Sequence, residues 1–334
     1  MSRNYSFDII RIIAMVLIII MHSPIPGINT PGIVLSTISF ISAPGIGLFF
    51  MISGALLLGN NLPQTDFLKH RFSKVVWPTL VWTIVYLIVT CIEEPLSAKE
   101  LAKTICSIPF EKQGHGVLWF MYTLAGLYLL TPILSQWLKS ASKKDLEFYL
   151  LLWGITLLFP YLNLVLKINT DVTGILYYFA GYSGYFLLGY YLKQYVLTQG
   201  ISKSKIVICV CSIIVCILIV FTAKKINPDI RIGYFFWYLS MPVAIMATAY
   251  FLLLSKIHVF EQSKSLISKM SSLSFGVYLC HILLMRSILW NIKIIHDSGP
   301  LLSIPIVAFL TIILSWILVY LLSKLPFSKF VVGL

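Results

Sequence analysis

Apolar residues run along this chain in long unbroken stretches separated by short polar connections. A helix that crosses a bilayer needs about 20 mostly apolar residues. Ten segments meet or approach that length, at 7–24, 42–59, 75–92, 117–137, 147–166, 174–192, 206–222, 233–255, 273–291 and 301–322. The runs do not alternate as the strands of a membrane barrel do. They predict an all-α integral membrane protein, a bundle of about ten transmembrane helices forming a single domain over 1–334, with no appended soluble domain. The first run carries Asp8, Arg11 and His22 and lacks a small-residue cleavage site, so it reads as a span and not as a signal peptide. The longest connection, about residues 93–116, is too short to fold alone and is expected to form at most a short surface helix. The apolar stretch 30–43 is interrupted by Pro31 and Pro44 and is expected to lie along the outer interface or to re-enter the membrane.

Composition turns that pattern into an exclusion. The 334 residues are 59% hydrophobic and only 11% charged, with a mean hydropathy of +0.92, whereas a soluble domain carries roughly a quarter charged residues. An ordinary soluble enzyme, a disordered chain and a disulfide scaffold are excluded together. Cys91, Cys209, Cys211, Cys216 and Cys280 lie in or beside apolar runs without metal-ligand spacing, so they read as buried apolar residues and no metal is expected.

The net charge of +13 reports sidedness, and no nucleic-acid partner is inferred from it. An even number of spans puts both termini on one side. Of the 25 Lys and Arg residues, fifteen fall on that side and eight on the other, with Arg11 and Arg286 inside the membrane. The positive-inside rule therefore makes both termini cytoplasmic, in a multi-pass protein of the cell (inner, cytoplasmic) membrane.

Ionisable groups inside a span are expensive and mark either a functional site or a paired structural ion. The eleven positions from Arg11 to His22 turn a helix by about 1100°, only about 20° from three full turns, so both side chains share one face about 16 Å apart along the axis. Asp8 lies on the same side, one turn below Arg11. Two readings stand open: a polar stripe that crosses much of the membrane, or a structural Asp8/Arg11 pair at the inner headgroups with His22 merely ending the helix. The ninth span adds Tyr278, His281 and Arg286, and His115 stands one turn before Trp119 at the start of the fourth. Polar groups on separate helices suggest a shared cavity. A basic run, Lys69-His70-Arg71 with Lys74, lies at the cytoplasmic mouth; it is either ordinary positive-inside topology or a patch for the phosphates of a soluble nucleotide-like donor. Aromatics crowd the sixth and eighth spans (Tyr182, Tyr185, Phe236, Trp237, Tyr238), suited to interfacial anchoring or to stacking on sugars.

Phe7-Asp8-Ile9-Ile10-Arg11 followed by His22 resembles the opening signature of acyltransferase family 3, integral-membrane acyltransferases that modify glycans. The resemblance continues through Pro44 with Leu48 to Gly54, Phe67 to Pro78, Leu118-Trp119-Phe120 with Tyr128 and Pro132, and Ser274 to His281, in the family's order. The length is similar to that of short members that O-acetylate a surface-polysaccharide precursor. The resemblance implies O-acyl transfer from a cytoplasmic acyl-CoA, commonly acetyl-CoA, to a hydroxyl of a surface glycan or lipid-linked saccharide on the outer side. It implies His22 as general base, since imidazole can accept a hydroxyl proton at neutral pH, with an acyl-histidine step as the alternative. Arg11 would orient the donor or His22, Asp8 would pair with Arg11, and Lys69, Arg71 and Lys74 would hold CoA phosphates. Ser53, His115, Trp119, Tyr278 and His281 would line the cavity, with Arg286 beside them. A transporter or exporter of a polysaccharide or lipid-linked sugar is the competing expectation, because ten spans with internal charges also suit translocation.

Overall fold

A computed structural model describes residues 3–59, 63–108, 110, 118–168, 174–226 and 233–333. The described residues form helices and no strand. In chain order these are α1 (Tyr5–His22), α2 (Gly32–Ser42), α3 (Pro44–Leu57), α4 (Gln64–Phe67), a π turn (Leu68–Phe72), α5 (Ser73–Glu93), α6 (Ala98–Ser107), α7 (Trp119–Ser140), α8 (Lys143–Thr156) and α9 (Phe159–Leu166). A 3₁₀ turn (Ile175–Phe179), α10 (Ser183–Tyr191), a second π turn (Leu192–Leu197), α11 (Lys203–Ile226), α12 (Gly233–Phe236) and α13 (Met241–Leu254) follow. The chain closes with α14 (Glu261–Ser287), a short 3₁₀ turn (Leu289–Asn291), α15 (Lys293–Asp297), α16 (Pro300–Leu322) and α17 (Ser328–Val332).

Among the described residues, seven helical stretches are long and apolar enough to cross a membrane: Tyr5–His22, Gly32–Leu57, Gln64–Glu93, Lys143–Leu162, Lys203–Ile226, Glu261–Asn291 and Pro300–Leu322. They coincide with seven of the ten expected spans. The expected 117–137 span is the 22-residue α7, which dilutes its apolar run with Thr123, Thr131, Ser135, Gln136 and Lys139. The 174–192 span is broken at Gly181, whose φ of +107° leaves the helical region. The 233–255 span is interrupted before Pro242, leaving the 14 residues of α13; at about 1.5 Å per residue these cover only about 21 Å. The stretch 30–43 is α2, and the short surface helix expected within 93–116 is α6. That helix begins in a capping box, in which the Ser97 hydroxyl accepts from the Glu100 N–H and the Glu100 carboxylate accepts from the Ser97 N–H at 2.9 Å. The Ser97 hydroxyl, which donates to the Glu100 carboxylate at 2.6 Å, and the Ser97 N–H hold that carboxyl below its ordinary value.

On α11, Val207, Ile208, Ile214, Val215, Leu218 and Ile219 are all exposed. Such a row would be an aggregation surface in water and is an ordinary one in hydrocarbon. The chain is a multi-pass membrane protein.

The chain divides into two compact units. Unit 1 comprises Met1–Met21, Asn29–Asn61 and Ile133–Ser271, and unit 2 comprises His22–Ile28, Leu62–Pro132 and Ser272–Leu334. In unit 1 the centre is α3, buried along nearly its whole length, and α10 crosses it at glycines. A Cβ on Gly54 would lie 1.8 Å from the Phe186 carbonyl oxygen, and one on Gly189 would lie 1.9 Å from that of Met51. Small residues let helices meet backbone to backbone, which replaces hydrophobic drive inside a membrane. Lys193 Nζ donates to the Ala55 carbonyl at 2.7 Å and satisfies the last turn of α3. In unit 2, Tyr86 on α5 donates its hydroxyl to the Leu279 carbonyl of α14 at 3.1 Å. Trp82 Nε1 donates to the Val331 carbonyl of α17 at 2.9 Å.

Candidate functional site

Unit 2 gathers the aromatic and imidazole groups singled out in the sequence. Pro24 cannot continue a helix and disfavours helical backbone in the residue before it, so α1 stops at His22, one residue short of that position. The His22 ring lies 5.5 Å from that of His281, centroid to centroid, at 44°. Tyr278, one turn earlier on α14, lies 5.5 Å from His281, and Phe120 lies 5.1 Å from Tyr278. Trp119 meets Phe120 edge-on at 6.3 Å. His281, Tyr278 and Phe120 are buried, and His22 and Trp119 are half-buried. Three of the expected cavity residues, Trp119, Tyr278 and His281, are thus brought together with His22, and the fold adds Phe120. His115 lies outside the described residues.

The protonation of His281 follows from its contacts. Nδ1 stands 2.6 Å from the Tyr278 carbonyl oxygen, and a carbonyl only accepts, so Nδ1 carries the proton. In the neutral ring Nε2 is then an acceptor. It is buried and has no hydrogen-bond partner among the described residues. An imidazole can take up and return a proton near neutral pH, and here two of them lie side by side against aromatic rings. Among the described residues no group of three or more His, Cys, Asp or Glu could hold a metal ion.

Arg286, five residues beyond His281, donates through Nη2 to Glu93 Oε2 at 2.7 Å, each side chain 35% exposed. Its carbonyl accepts from Asn291 Nδ2 at 2.8 Å. Arg286 therefore ties the end of α14 to the end of α5. Lys69, Arg71 and Lys74 also belong to unit 2, all three exposed. The π turn carries Lys69, His70 and Arg71; π turns inside helices recur at functional sites. Ser73 Oγ donates to the Lys69 carbonyl, while the buried Phe67 ring packs 6.1 Å from Tyr128. The turn is anchored by the apolar residue that precedes it and presents its cations to solvent.

Asp8 and Arg11 belong to a separate network in unit 1. The Asp8 carboxylate accepts from Arg3 Nε at 2.7 Å, from Arg3 Nη2 at 3.1 Å and from Ser271 Oγ at 2.7 Å. Arg11 Nη1 donates to that same Ser271 hydroxyl at 3.3 Å. The carboxylate expected to pair with Arg11 is thus held by Arg3 and Ser271, and Arg11 joins through the serine. Arg3 also donates to the Ser268 carbonyl at 3.1 Å, so the network fastens the start of α1 to α14. Bonding to Asp8 holds the Arg3 guanidinium above its ordinary pKa. Neither Arg3 nor Ser271 was legible as a partner: Arg3 precedes the helix that carries Asp8, and Ser271 is distant in sequence. Ser53, half-buried on α3, also belongs to unit 1.

Asp8→Ala should cost about 2 kcal/mol, the scale of charge-assisted bonds, discounted because Arg3 is 45% exposed. The expected result is a lower Tm in detergent with folded protein still recovered. An unchanged Tm would show that the network holds nothing together.

Residues 4–320 match the profile of the acyltransferase-3 family, described as an acyltransferase domain. No curated protein and no solved structure matches the chain. The profile covers nearly the whole chain, both units included, and the ordered blocks from Asp8 to His281 lie within it. The chain belongs to the acyltransferase-3 family and is a membrane acyltransferase.

Proposed function

We propose that this protein moves an acyl group, most simply acetyl, from a cytoplasmic acyl-CoA to a hydroxyl of an extracytoplasmic surface glycan or lipid-linked saccharide. Both termini are cytoplasmic in this reading. The observation that carries it is the His22/His281 pair walled by Tyr278, Phe120 and Trp119, in the unit that also bears the exposed Lys69, Arg71 and Lys74.

An acyl thioester is already activated, so the protein's tasks are to position it, to take the proton of the incoming hydroxyl and to steady the oxyanion. His22 accepts that proton as the hydroxyl oxygen attacks the thioester carbonyl. The tetrahedral intermediate collapses with cleavage of the C–S bond, and the departing thiolate takes the proton back from His22. Ester and free CoA thiol are the products. Lys69, Arg71 and Lys74 supply cations for the CoA phosphates. Arg11 acts as a positioning residue within the Asp8/Ser271 network, and the aromatic walls limit hydrolysis by water.

Membranes containing the protein, incubated with acetyl-CoA labelled in the acetyl group, should place alkali-labile label in their glycan fraction and release thiol in equal amount. Movement of saccharide across the membrane with no consumption of acetyl-CoA would instead identify a transporter.

A further inference from the structure

Several buried polar atoms have no hydrogen-bond partner among the described residues, and the one whose ring lies against His22 is Nε2 of His281. We propose that His281 is the positioning partner of His22: its Nε2 accepts a hydrogen bond from an N–H of the His22 ring and supports the charge that ring takes up during transfer. This inference rests on the reading of His22 as base. It follows from three observations on residues of one unit. The Nδ1–H of His281 is committed to the Tyr278 carbonyl at 2.6 Å, which fixes the ring against rotation and tautomerisation. Nε2 is on the other side of that fixed ring, buried and without a partner among the described residues. Burying an acceptor unpaired costs free energy, so a donor is expected there when the site is engaged.

The neighbouring His22 ring supplies that donor. Each ring nitrogen lies about 1.2 Å from its own centroid, so rings whose centroids are 5.5 Å apart can bring facing nitrogens to about 3 Å, a hydrogen-bond distance. The bond requires the His22 ring to turn an N–H toward His281, and catalytic hydrogen bonds commonly tighten only once substrates are bound. The proton balance needs such a partner. When one His22 nitrogen takes the hydroxyl proton, the ring becomes an imidazolium with two N–H groups in a water-poor site. One N–H returns its proton to the leaving thiolate. The other requires an acceptor, the part played by a carboxylate in serine-protease triads. A neutral imidazole performs it here without adding a buried negative charge.

The test is the initial rate of thiol release from acetyl-CoA in membranes, for the wild type, His281→Phe, His281→Asn, His22→Ala and the double variant His22→Ala/His281→Phe. His281→Phe should lower kcat about 10²-fold while KM for acetyl-CoA stays within about twofold, since only transition-state charge is affected. His281→Asn, whose side-chain oxygen accepts, should recover about tenfold of that loss. In the His22→Ala background His281→Phe should cost nothing further, because groups that act as a unit do not lose rate additively. Gel filtration and Tm of each purified variant check that the fold is retained. Independent, multiplicative losses in the double variant would overturn the proposal, as would equal losses in the Phe and Asn variants. Retained rate in His22→Ala would sink the base reading itself, a different result from a silent His281→Phe in an enzyme that needs His22.

Discussion

His22→Ala should lower the rate of acyl transfer by about 10²- to 10⁴-fold, the usual contribution of a positioned general base, equivalent to about 3–5 kcal/mol of transition-state stabilisation. The effect should fall on chemistry and not on folding. His22 is half-buried at the last position of α1 and meets His281 ring to ring; truncating its side chain removes no bond from either helix ladder. His22→Gln keeps a polar side chain of similar length but no titratable nitrogen, so it should be as inactive as the alanine variant. Rates are read as label transferred from acetyl-CoA per unit of folded protein, with Tm in detergent as the control. Transfer within a few-fold of wild type in both variants would mean that the hydroxyl proton leaves by another route.

The largest structural effect should come from a single methyl group. Gly54→Ala and Gly189→Ala would each place a Cβ less than 2 Å from a backbone carbonyl oxygen of the facing helix. A flexible side chain can swing away from such a clash; a backbone carbonyl inside a helix ladder cannot. α3 and α10 would have to separate, opening voids along a crossing that centres unit 1. Ordinary overpacking costs about 1–3 kcal/mol, and parting two helices should cost more, about 4 kcal/mol or beyond. That is a large share of a typical stability of about 5–15 kcal/mol. The expected outcome is loss of monodisperse protein on detergent extraction. Gly126→Ala is the matched control: a Cβ there meets nothing within 4 Å, and replacing a helical glycine with alanine should be neutral or stabilising by up to about 1 kcal/mol. Wild-type yield and Tm for Gly189→Ala would refute the close-crossing argument.

Hydropathy made the helical class and seven spans legible because lipid demands continuous apolar length, and that demand is local in sequence. The other three expected spans meet helical stretches that are shorter or less apolar among the described residues. The 233–255 run is as apolar as its neighbours, yet Pro242 and the break before it leave α13 as a short helix buried in unit 1. At the site, helical spacing placed Arg11 and His22 on one helix, and the ordered blocks pointed to Trp119, Tyr278 and His281. What spacing could not supply was partnership. The Asp8 carboxylate finds Arg3, which precedes α1, and Ser271, which lies on α14. Arg286 reads as a charge inside the ninth span, and it meets Glu93 where α14 and α5 end. The orphaned Nε2 of His281 is likewise a property of packing: only the hydrogen bond from Nδ1 to the Tyr278 carbonyl reveals which nitrogen remains to accept.

The central claim is that an acyl-CoA entering by the basic turn delivers its thioester to His22. A structure of the protein with a non-hydrolysable acetyl-CoA analogue tests it most directly. The expected result has CoA phosphates on Lys69, Arg71 or Lys74 and the acyl carbonyl beside the His22 ring, with His281 Nε2 accepting from that ring. A bound analogue whose acyl carbonyl lies away from both imidazoles would contradict it.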